Sequence, residues 1–472
     1  MPMPGLQEWI HKFEEGEGVR LIKKFAVALA LLALVIVYNV RQGRNFLSAE
    51  AMDAAQLARN IAEGKGFTTQ FVRPLSIFLV QKSHTDKNPM LDEGHPDLAN
   101  APLYPLMLAG LMKVLPFNYY ISTADQFSRY QPELLISLLN QVWFLLAVVL
   151  VFLLAKKLFD PGVAWLAAGV FTCTDLFWRF SVSGLPTLFL ADLFLGIVWC
   201  LMRLEQGTRE EGHGQGWFLG WALACGLLLG LGCLTRYAFG WLILPVILFL
   251  VLFVGPRRAT LVPTACIAFA LLLTPWLVRN YQVGGTLFGT AGYALWEDTT
   301  SFPGSSLERS IQPDPAQLNG FNLGDIRRKL TLHCSTILSN DLFKLGGTWF
   351  SAFFLVGLLV PFRSPTLSRL RIFLLLCLAS LTVAQALGQT DLSRAVPDVN
   401  SENLLVLVVP LVFIFSAAMY HLLVDQLELP FPTARRWLTG LVGLLACLPF
   451  VFSLLSPRNG PIVYPPYYPW LI

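Results

Sequence analysis

The chain has 472 residues, of which 55% are hydrophobic and only 14% are charged, and its formal net charge is +4. Soluble domains carry roughly a quarter of charged residues, so this composition excludes a soluble enzyme. The small and dispersed positive charge likewise excludes nucleic acid as a partner. We therefore predict an all-α polytopic membrane protein, because lipid-embedded backbone groups are satisfied in such apolar runs only as helices.

The first predicted span runs from Phe25 to Val40 and follows a charged segment. No small-residue cleavage site is evident after it, so we interpret it as a retained signal anchor. A bilayer core needs about 20 apolar residues per helix. With ten further runs, the total is about eleven spans: 133–155, 161–178, 184–202, 216–234, 237–254, 260–277, 345–362, 371–388, 404–424 and 437–456.

Segment 101–116 is apolar but short, and it contains Pro102, Pro105, Pro116 and Lys113. We predict an interfacial or re-entrant helix there instead of a span. With that choice, each short outer connection holds a single basic residue, Arg179, Arg236 or Arg394. Each short inner connection holds at least two, and these are Lys156, Lys157, Arg203, Arg209, Arg257, Arg258, Arg363, Arg369, Arg371, Arg435 and Arg436. The positive-inside rule then places the N-terminus in the cytoplasm.

This topology divides the chain into three parts. We predict a cytoplasmic segment 1–24, a transmembrane domain 25–456, and a proline- and aromatic-rich extracytoplasmic tail 457–472. Within the transmembrane domain, two large loops lie outside the cytoplasm, at 41–132 and 280–344.

The first outer loop begins with a predicted amphipathic helix from Ala51 to Ala62, which Gly64 and Gly66 end. Glu50 and Asp53 are three residues apart and therefore share one face of this helix. Two explanations are open: the carboxylates point into one site, or they stabilise the first helical turn through capping and the helix dipole.

A succession of local patterns resembles the glycosyltransferase C superfamily, in particular its lipid-linked-sugar branch, which includes protein mannosyltransferases and lipid A aminoarabinose transferases. The resemblance covers most of the chain. The segments that carry it are Glu50–Asp53, Ala58–Asn60, Gly64–Phe67, Ala101–Pro105, Leu234–Tyr237 and Pro275–Tyr281.

The resemblance implies a catalytic base just after the first span, at the side of the membrane away from the cytoplasm. The usual family pattern is an adjacent Asp-Glu pair, whereas here Ala51 follows Glu50 and the second acid, Asp53, is displaced. Either residue fills the role, and Asp53 is slightly preferred. A carboxylate base suits inverting transfer from a polyprenyl-phosphate sugar, since the acceptor hydroxyl must lose its proton as it attacks.

The departing lipid phosphate needs cations, and arginine grips phosphate oxygens in bidentate fashion. The candidate phosphate-binding residues are Arg59, Arg73, Arg236 and Arg279. For Arg236 and Arg279 the alternative is an ordinary anchoring role at the interface, and for Arg59 it is a position that faces water, whereas Arg73 shares the loop of the two acids. Tyr104, Tyr237, Glu402 and Asn403 are candidates to line the substrate site.

No cofactor is required by this reading, although a divalent cation is one possibility. His84, Asp86, Asp92, Glu93, His95 and Asp97 crowd one polar segment of the first outer loop, but no spacing resembles a closed zinc site. Polar loop chemistry explains the same residues without a metal. The expected partners are the polyprenyl-phosphate sugar donor, a glycan, lipid or protein acceptor, and membrane lipids.

The leading function is thus a glycosyltransferase of the bacterial inner membrane whose site faces outward. The alternative is a transporter or flippase of a lipid-linked or amphipathic solute. Transporters place binding groups at mid-membrane, often with repeat symmetry, whereas here the candidate groups collect at one interface and no repeat is apparent. A third alternative is an inactive scaffold in an envelope complex, and the displaced acid motif is the feature that supports it.

Overall fold

The computed structural model describes residues 17–43, 45–46, 48–83, 94–120, 130–210, 212–313, 323–345, 349–360, 364–390, 398–427 and 434–456. We number the helices α1 Glu17–Gln42, α2 Ala49–Ala62, α3 Pro74–Ser83, α4 Leu103–Val114, α5 Gln131–Leu158, α6 Pro161–Thr172, α7 Asp175–Ser181, α8 Thr187–Gly207, α9 Gln215–Thr235, α10 Ile243–Phe253, α11 Arg258–Gly284, α12 Leu323–Thr336, α13 Leu342–Lys344, α14 Phe350–Leu359, α15 Pro365–Gly388, α16 Val409–Gln426 and α17 Ala434–Leu455. Two strands, β1 Thr68–Thr69 and β2 His95–Pro96, form one antiparallel pair.

The all-α polytopic fold is confirmed. Among the described residues, eight helices are long and apolar enough to cross a membrane, namely α1, α5, α8, α9, α11, α15, the segment Leu404–Gln426 that ends in α16, and α17. The other three predicted spans correspond to shorter apolar helices, Pro161–Thr172, Tyr237–Phe253 and Phe350–Leu359. The total of eleven therefore stays a prediction.

The predicted span 161–178 is divided into two helices. Asp160 begins the first of them, because its Oδ1 accepts hydrogen bonds from the backbone N–H groups of Gly162 at 2.7 Å and Val163 at 3.0 Å. Helix α6 ends at Thr172 and α7 begins at Asp175. The first helix is thus only 12 residues long, about 18 Å at 1.5 Å per residue.

Connections that the charge pattern assigns to one side contact one another. On the predicted inner side, the buried Glu205 of α8 pairs with Arg209 Nη2 at 3.0 Å and with Arg369 Nη1 of α15 at 2.7 Å. On the predicted outer side, Glu133 Oε2 accepts the Phe46 N–H at 2.6 Å. The grouping of the loops fits the predicted topology, and which end faces the cytoplasm stays a prediction.

The first outer loop forms a layer over the outer end of the bundle. Helix α2 packs against α4, and it ends before Gly64 and Gly66, whose φ angles of 81° and 76° suit glycine. Helix α4 has 12 residues and exposes Leu106 and Val114, as an interfacial helix would.

Part of the second outer loop packs on this layer. A small hydrophobic cluster, separate from the main core, consists of Leu75, Leu79, Leu98, Phe302 and Leu307. It joins α3 of the first loop to residues of the second. The predicted segment 1–24 is described only from residue 17, and the predicted tail 457–472 lies outside the described residues.

The ion pairs of Glu205 yield a stability prediction. Glu205→Gln keeps the side-chain volume but removes the charge that Arg209 and Arg369 share, so we expect a loss of roughly 2 kcal/mol of unfolding free energy. The measurement is the thermal unfolding midpoint in detergent. Glu210→Gln is the control, because Glu210 pairs with His213 at an exposed position, and equal midpoints for the two variants would contradict the prediction.

Candidate active site

Asp53 is bound by residues from three other parts of the first loop. Its side chain is 1% exposed. Oδ2 accepts hydrogen bonds from Arg73 Nη2 and Asn100 Nδ2, each at 2.9 Å, and Oδ1 accepts from Thr69 Oγ1 at 3.1 Å. The carboxylate therefore joins loop segments together, and its role is not the capping of α2.

Arg73 connects the two outer loops. Its Nη2 binds Asp53, its Nε binds Glu308 Oε1 at 2.8 Å, and its Nη1 lies 3.9 Å from Asp97 Oδ1. Burial alone lowers the pKa of Arg73, but Asp53, Asp97 and Glu308 raise the pKa above its ordinary value. The guanidinium thus stays charged and is already occupied by carboxylates.

Asp97 is a second buried acid of this cluster, and the sequence did not single it out as a catalytic candidate. Burial, and then the charge of Asp53, raise the pKa of Asp97, while Arg73 lowers it. Its Oδ2 accepts the Asn100 N–H at 2.8 Å. The pairing of Thr69 with His95 brings Asp97 to this position, and strands of two residues leave no alternating pattern that a sequence could reveal.

Glu50 does not share the hydrogen-bonding partners of Asp53. It contacts the loop that precedes α16. Ser401 Oγ donates a hydrogen bond to Glu50 Oε2. Burial raises the pKa of Glu50 above its ordinary value, whereas Arg236 and Ser401 lower it. Glu402 lies close enough to interact with Glu50 electrostatically, and it accepts the Thr390 N–H at 3.0 Å.

Arg236 is close enough to Glu50 and Glu402 to interact with both electrostatically. It is the residue at which α9 ends. Within the described parts of the chain, its guanidinium takes part in no hydrogen bond and no ion pair. Arg236 is therefore a partly buried cation whose N–H groups are available to a ligand.

The other two arginine candidates have partners. Arg279 Nη1 donates to the backbone oxygen of Asp97 at 2.6 Å and to Asn280 Oδ1 at 3.1 Å, and its guanidinium stacks on Trp276. It therefore holds the first loop on α11. Arg59 pairs with Glu63 at 2.8 Å on the exposed side of α2, apart from the carboxylate cluster.

The residues predicted to line the substrate site also lie in different places. The Tyr237 hydroxyl accepts from Trp276 Nε1 at 2.7 Å and from Asn280 Nδ2 at 3.1 Å, beside Arg279. Asn403 shapes the late loop, because its Nδ2 donates to the backbone oxygen of Asp398 at 3.2 Å. Tyr104 instead lies in the core, where it is 2% exposed and its hydroxyl donates to Gly184 O at 2.7 Å.

Lys329 of α12 is a site residue that the sequence did not reveal. Its Nζ donates to the backbone oxygens of Ala294 at 2.8 Å and Glu297 at 2.6 Å. Burial lowers the pKa of Lys329 to about 8, although Glu297, Asp298 and Glu402 raise it. Lys329 follows Arg327 and Arg328 directly, so no sequence pattern marks it as the buried member of the three.

The segment considered for a divalent cation is described only in part. His84, Asp86, Asp92 and Glu93 lie outside the described residues. His95 Nε2 is hydrogen-bonded to Ser76 Oγ at 2.8 Å. Over the described ranges, no group of three His, Cys, Asp or Glu side chains has an arrangement that could hold a metal ion.

Solved structures of similar fold exist. ArnT from Cupriavidus metallidurans bound to undecaprenyl phosphate matches with a TM-score of 0.56 and 12% identity, over 92% of this chain and 66% of that one. AglB, the oligosaccharyltransferase of Archaeoglobus fulgidus, in complex with an inhibitory peptide and a dolichol-phosphate, matches with a TM-score of 0.52 and 13% identity, over 95% of this chain and 57% of that one. The chain therefore shares the polytopic helical fold of ArnT and AglB.

A family model agrees with this resemblance over part of the sequence. Residues 127–278 match the dolichyl-phosphate-mannose-protein mannosyltransferase family, a segment that contains Arg236 but not Glu50. No curated protein sequence gives a significant match. The chain spans 66% of the length of the ArnT chain and 57% of that of AglB.

The ties made by Arg73 lead to a prediction about the outer loops. Arg73→Lys keeps the charge, but a single ammonium lacks the planar fork that reaches Asp53 and Glu308 together. We expect faster proteolytic cleavage in the segment around Glu308 than in the wild type. Arg59→Lys is the matched control, because its ion pair is exposed, and equal cleavage rates for both variants would contradict the prediction.

Proposed function

We propose that the protein transfers a sugar from a polyprenyl-phosphate donor to an acceptor at the extracytoplasmic face of the membrane, with inversion at the anomeric carbon. The observation that carries this proposal is that Arg236, which has no hydrogen bond to a described residue, interacts electrostatically with the carboxylates Glu50 and Glu402 and directly follows a long apolar helix. A cation for the phosphate and a proton acceptor would thus be neighbours.

Arg236 is the proposed ligand of the donor phosphate. Arg73 and Arg279 would have to leave carboxylate or carbonyl partners before they could bind a phosphate, and Arg59 lies on another surface. Arg236 makes no hydrogen bond to a described residue that a phosphate would have to replace. Fixed cations at the departing phosphate stabilise the charge that develops as the glycosidic bond breaks.

Glu50 is the proposed general base. Its Oε1 has no hydrogen bond within the described residues, and its raised pKa makes it a better proton acceptor at neutral pH than an ordinary glutamate. Asp53, by contrast, already accepts three hydrogen bonds. The geometry therefore supports Glu50 over Asp53, and it gives Asp53 the role of holding Arg73.

In this mechanism the acceptor hydroxyl oxygen attacks the anomeric carbon, and the bond from that carbon to the phosphate oxygen breaks. The polyprenyl phosphate leaves with the electron pair, and Glu50 receives the hydroxyl proton. Lys329 and Glu402 lie at the edge of the same site. Hydroxyl groups of the transferred sugar would find a hydrogen-bond donor in Lys329 and a hydrogen-bond acceptor in Glu402. Glycan, lipid and protein hydroxyls all fit this chemistry.

The proposed base is tested by label transfer from a panel of radiolabelled polyprenyl-phosphate sugars, with purified protein in lipid. Glu50→Gln should lower turnover by roughly 100- to 10,000-fold, the usual contribution of a general base, while donor binding is retained. Asp53→Asn should lower it less. The reverse order would make Asp53 the base, and labelled lipid that crosses proteoliposomes without any transfer would favour the flippase.

The phosphate role of Arg236 is tested by equilibrium binding of the same donors. Arg236→Gln removes a charged donor, and hydrogen bonds to charged groups contribute about 1.5–3 kcal/mol, so affinity should fall roughly 10- to 100-fold. Arg59→Gln is the matched control and should bind the donor as the wild type does. Unchanged affinity in Arg236→Gln would return this residue to an anchoring role.

A further inference from the structure

The end of the bundle opposite to the candidate site carries two arginines stacked on aromatic rings. Arg203 Cζ lies 5.6 Å from the Trp217 ring centroid and 5.9 Å from that of Trp221. Arg257 Cζ lies 4.0 Å from the Phe218 ring centroid. We call these five residues the arginine–aromatic patch.

The rings of the patch are held in place by the packing of α8 on α9. The centroids of Trp217 and Phe218 are 5.0 Å apart in an edge-to-face arrangement. A Cβ atom at Gly207 would lie 2.4 Å from the Trp217 ring, so only glycine allows this ring to lie against the end of α8. Phe218 is fully buried, and the two guanidinium positions are therefore set by fixed neighbours.

Both guanidinium groups have unused hydrogen-bonding capacity. No hydrogen bond or ion pair involves the Arg203 or Arg257 side chain in the part of the chain that the structure describes. Arg209 and Arg369 differ, because both pair with Glu205. A guanidinium that rests with its face on a ring keeps its N–H groups at the edge, where they can grip a phosphate in bidentate fashion.

The surroundings of the patch favour a lipid over a free anion. Arg203 lies near the end of α8, the three rings lie in the first two turns of α9, and Arg257 lies just before α11. Helix α9 has 21 residues and is therefore about 30 Å long, and Arg236 follows its other end, so a bilayer core separates the patch from the candidate site. Beside it, α9 exposes Leu223 and Leu227, where acyl chains can lie. The acids that are nearest to Arg203 along the chain, Glu205 and Glu210, already pair with other residues.

We propose that the arginine–aromatic patch binds the phosphate of an anionic phospholipid in the leaflet opposite to the candidate site. The two stacked arginines hold the phosphate oxygens, Trp217 lies at the level of the headgroups, and the acyl chains follow the exposed leucines of α9. This site does not depend on the proposed glycosyl transfer, because none of its residues belongs to the candidate active site.

The test is native mass spectrometry of the full chain in micelles that contain equal amounts of phosphatidylglycerol and phosphatidylcholine. The wild type should retain phosphatidylglycerol preferentially. The double variant Arg203→Gln and Arg257→Gln should lose this preference by roughly fivefold for each arginine. The matched control, Arg179→Gln with Arg435→Gln, removes the same charge at arginines that pair with acids, and it should keep the preference.

Three results would overturn the proposal: equal retention of both lipids by the wild type, an unchanged preference in the double variant, or complete displacement of the lipid by inorganic phosphate. If the glutamine variant fails to fold, Arg203→Lys with Arg257→Lys decides. Lysine keeps the charge but lacks the bidentate fork, so the lysine variant should prefer phosphatidylglycerol less than the wild type does. An undiminished preference would contradict the proposed binding mode.

Discussion

The ion pair between Arg73 and Asp53 is the contact on which the outer half of the molecule depends. It joins α2 to the segment before α3, and through Glu308 it also ties the second outer loop to the first. Buried charges of this kind are tolerated only when they are paired and hydrogen-bonded. Asn100, Thr69 and Asp97 complete the cluster, so the loops that cover the site are held by polar contacts as much as by their small hydrophobic cluster.

The arginines of the outer end divide according to their partners. Arg73 and Arg279 are occupied by carboxylate and carbonyl oxygens, and Arg59 by an exposed glutamate. Arg236 interacts electrostatically with two carboxylates but has no described hydrogen bond, and the proposed mechanism assigns it the phosphate. The sequence could not reveal these partners, because all four arginines are predicted near the same interface. The difference arises from which backbone and acidic oxygens the folded loops bring within reach.

Arginines have two different uses at the two ends of the bundle. Near the candidate site, they are surrounded by acids, and most of their charge is used to order loops. At the opposite end, Arg203 and Arg257 rest on aromatic rings, which leaves their N–H groups available. The first arrangement suits a site that must stay rigid during chemistry. The second suits the recognition of a phosphate that arrives from the surrounding leaflet.

The sequence alone determined the all-α membrane class, the approximate positions of the long apolar helices and the resemblance to the glycosyltransferase C superfamily. These properties follow from apolar length, charge bias and local motifs, which act over a few residues or turns. The sequence also selected a group of residues that the structure brings to one end of the helical bundle, namely Glu50, Asp53, Arg73, Arg236 and Glu402. Only the tertiary structure placed Arg59 and Tyr104 away from this group and Asp97 and Lys329 next to it. It also gave Glu50 and Asp53 different partners. These differences depend on contacts between loops that are far apart along the chain, which a sequence does not show.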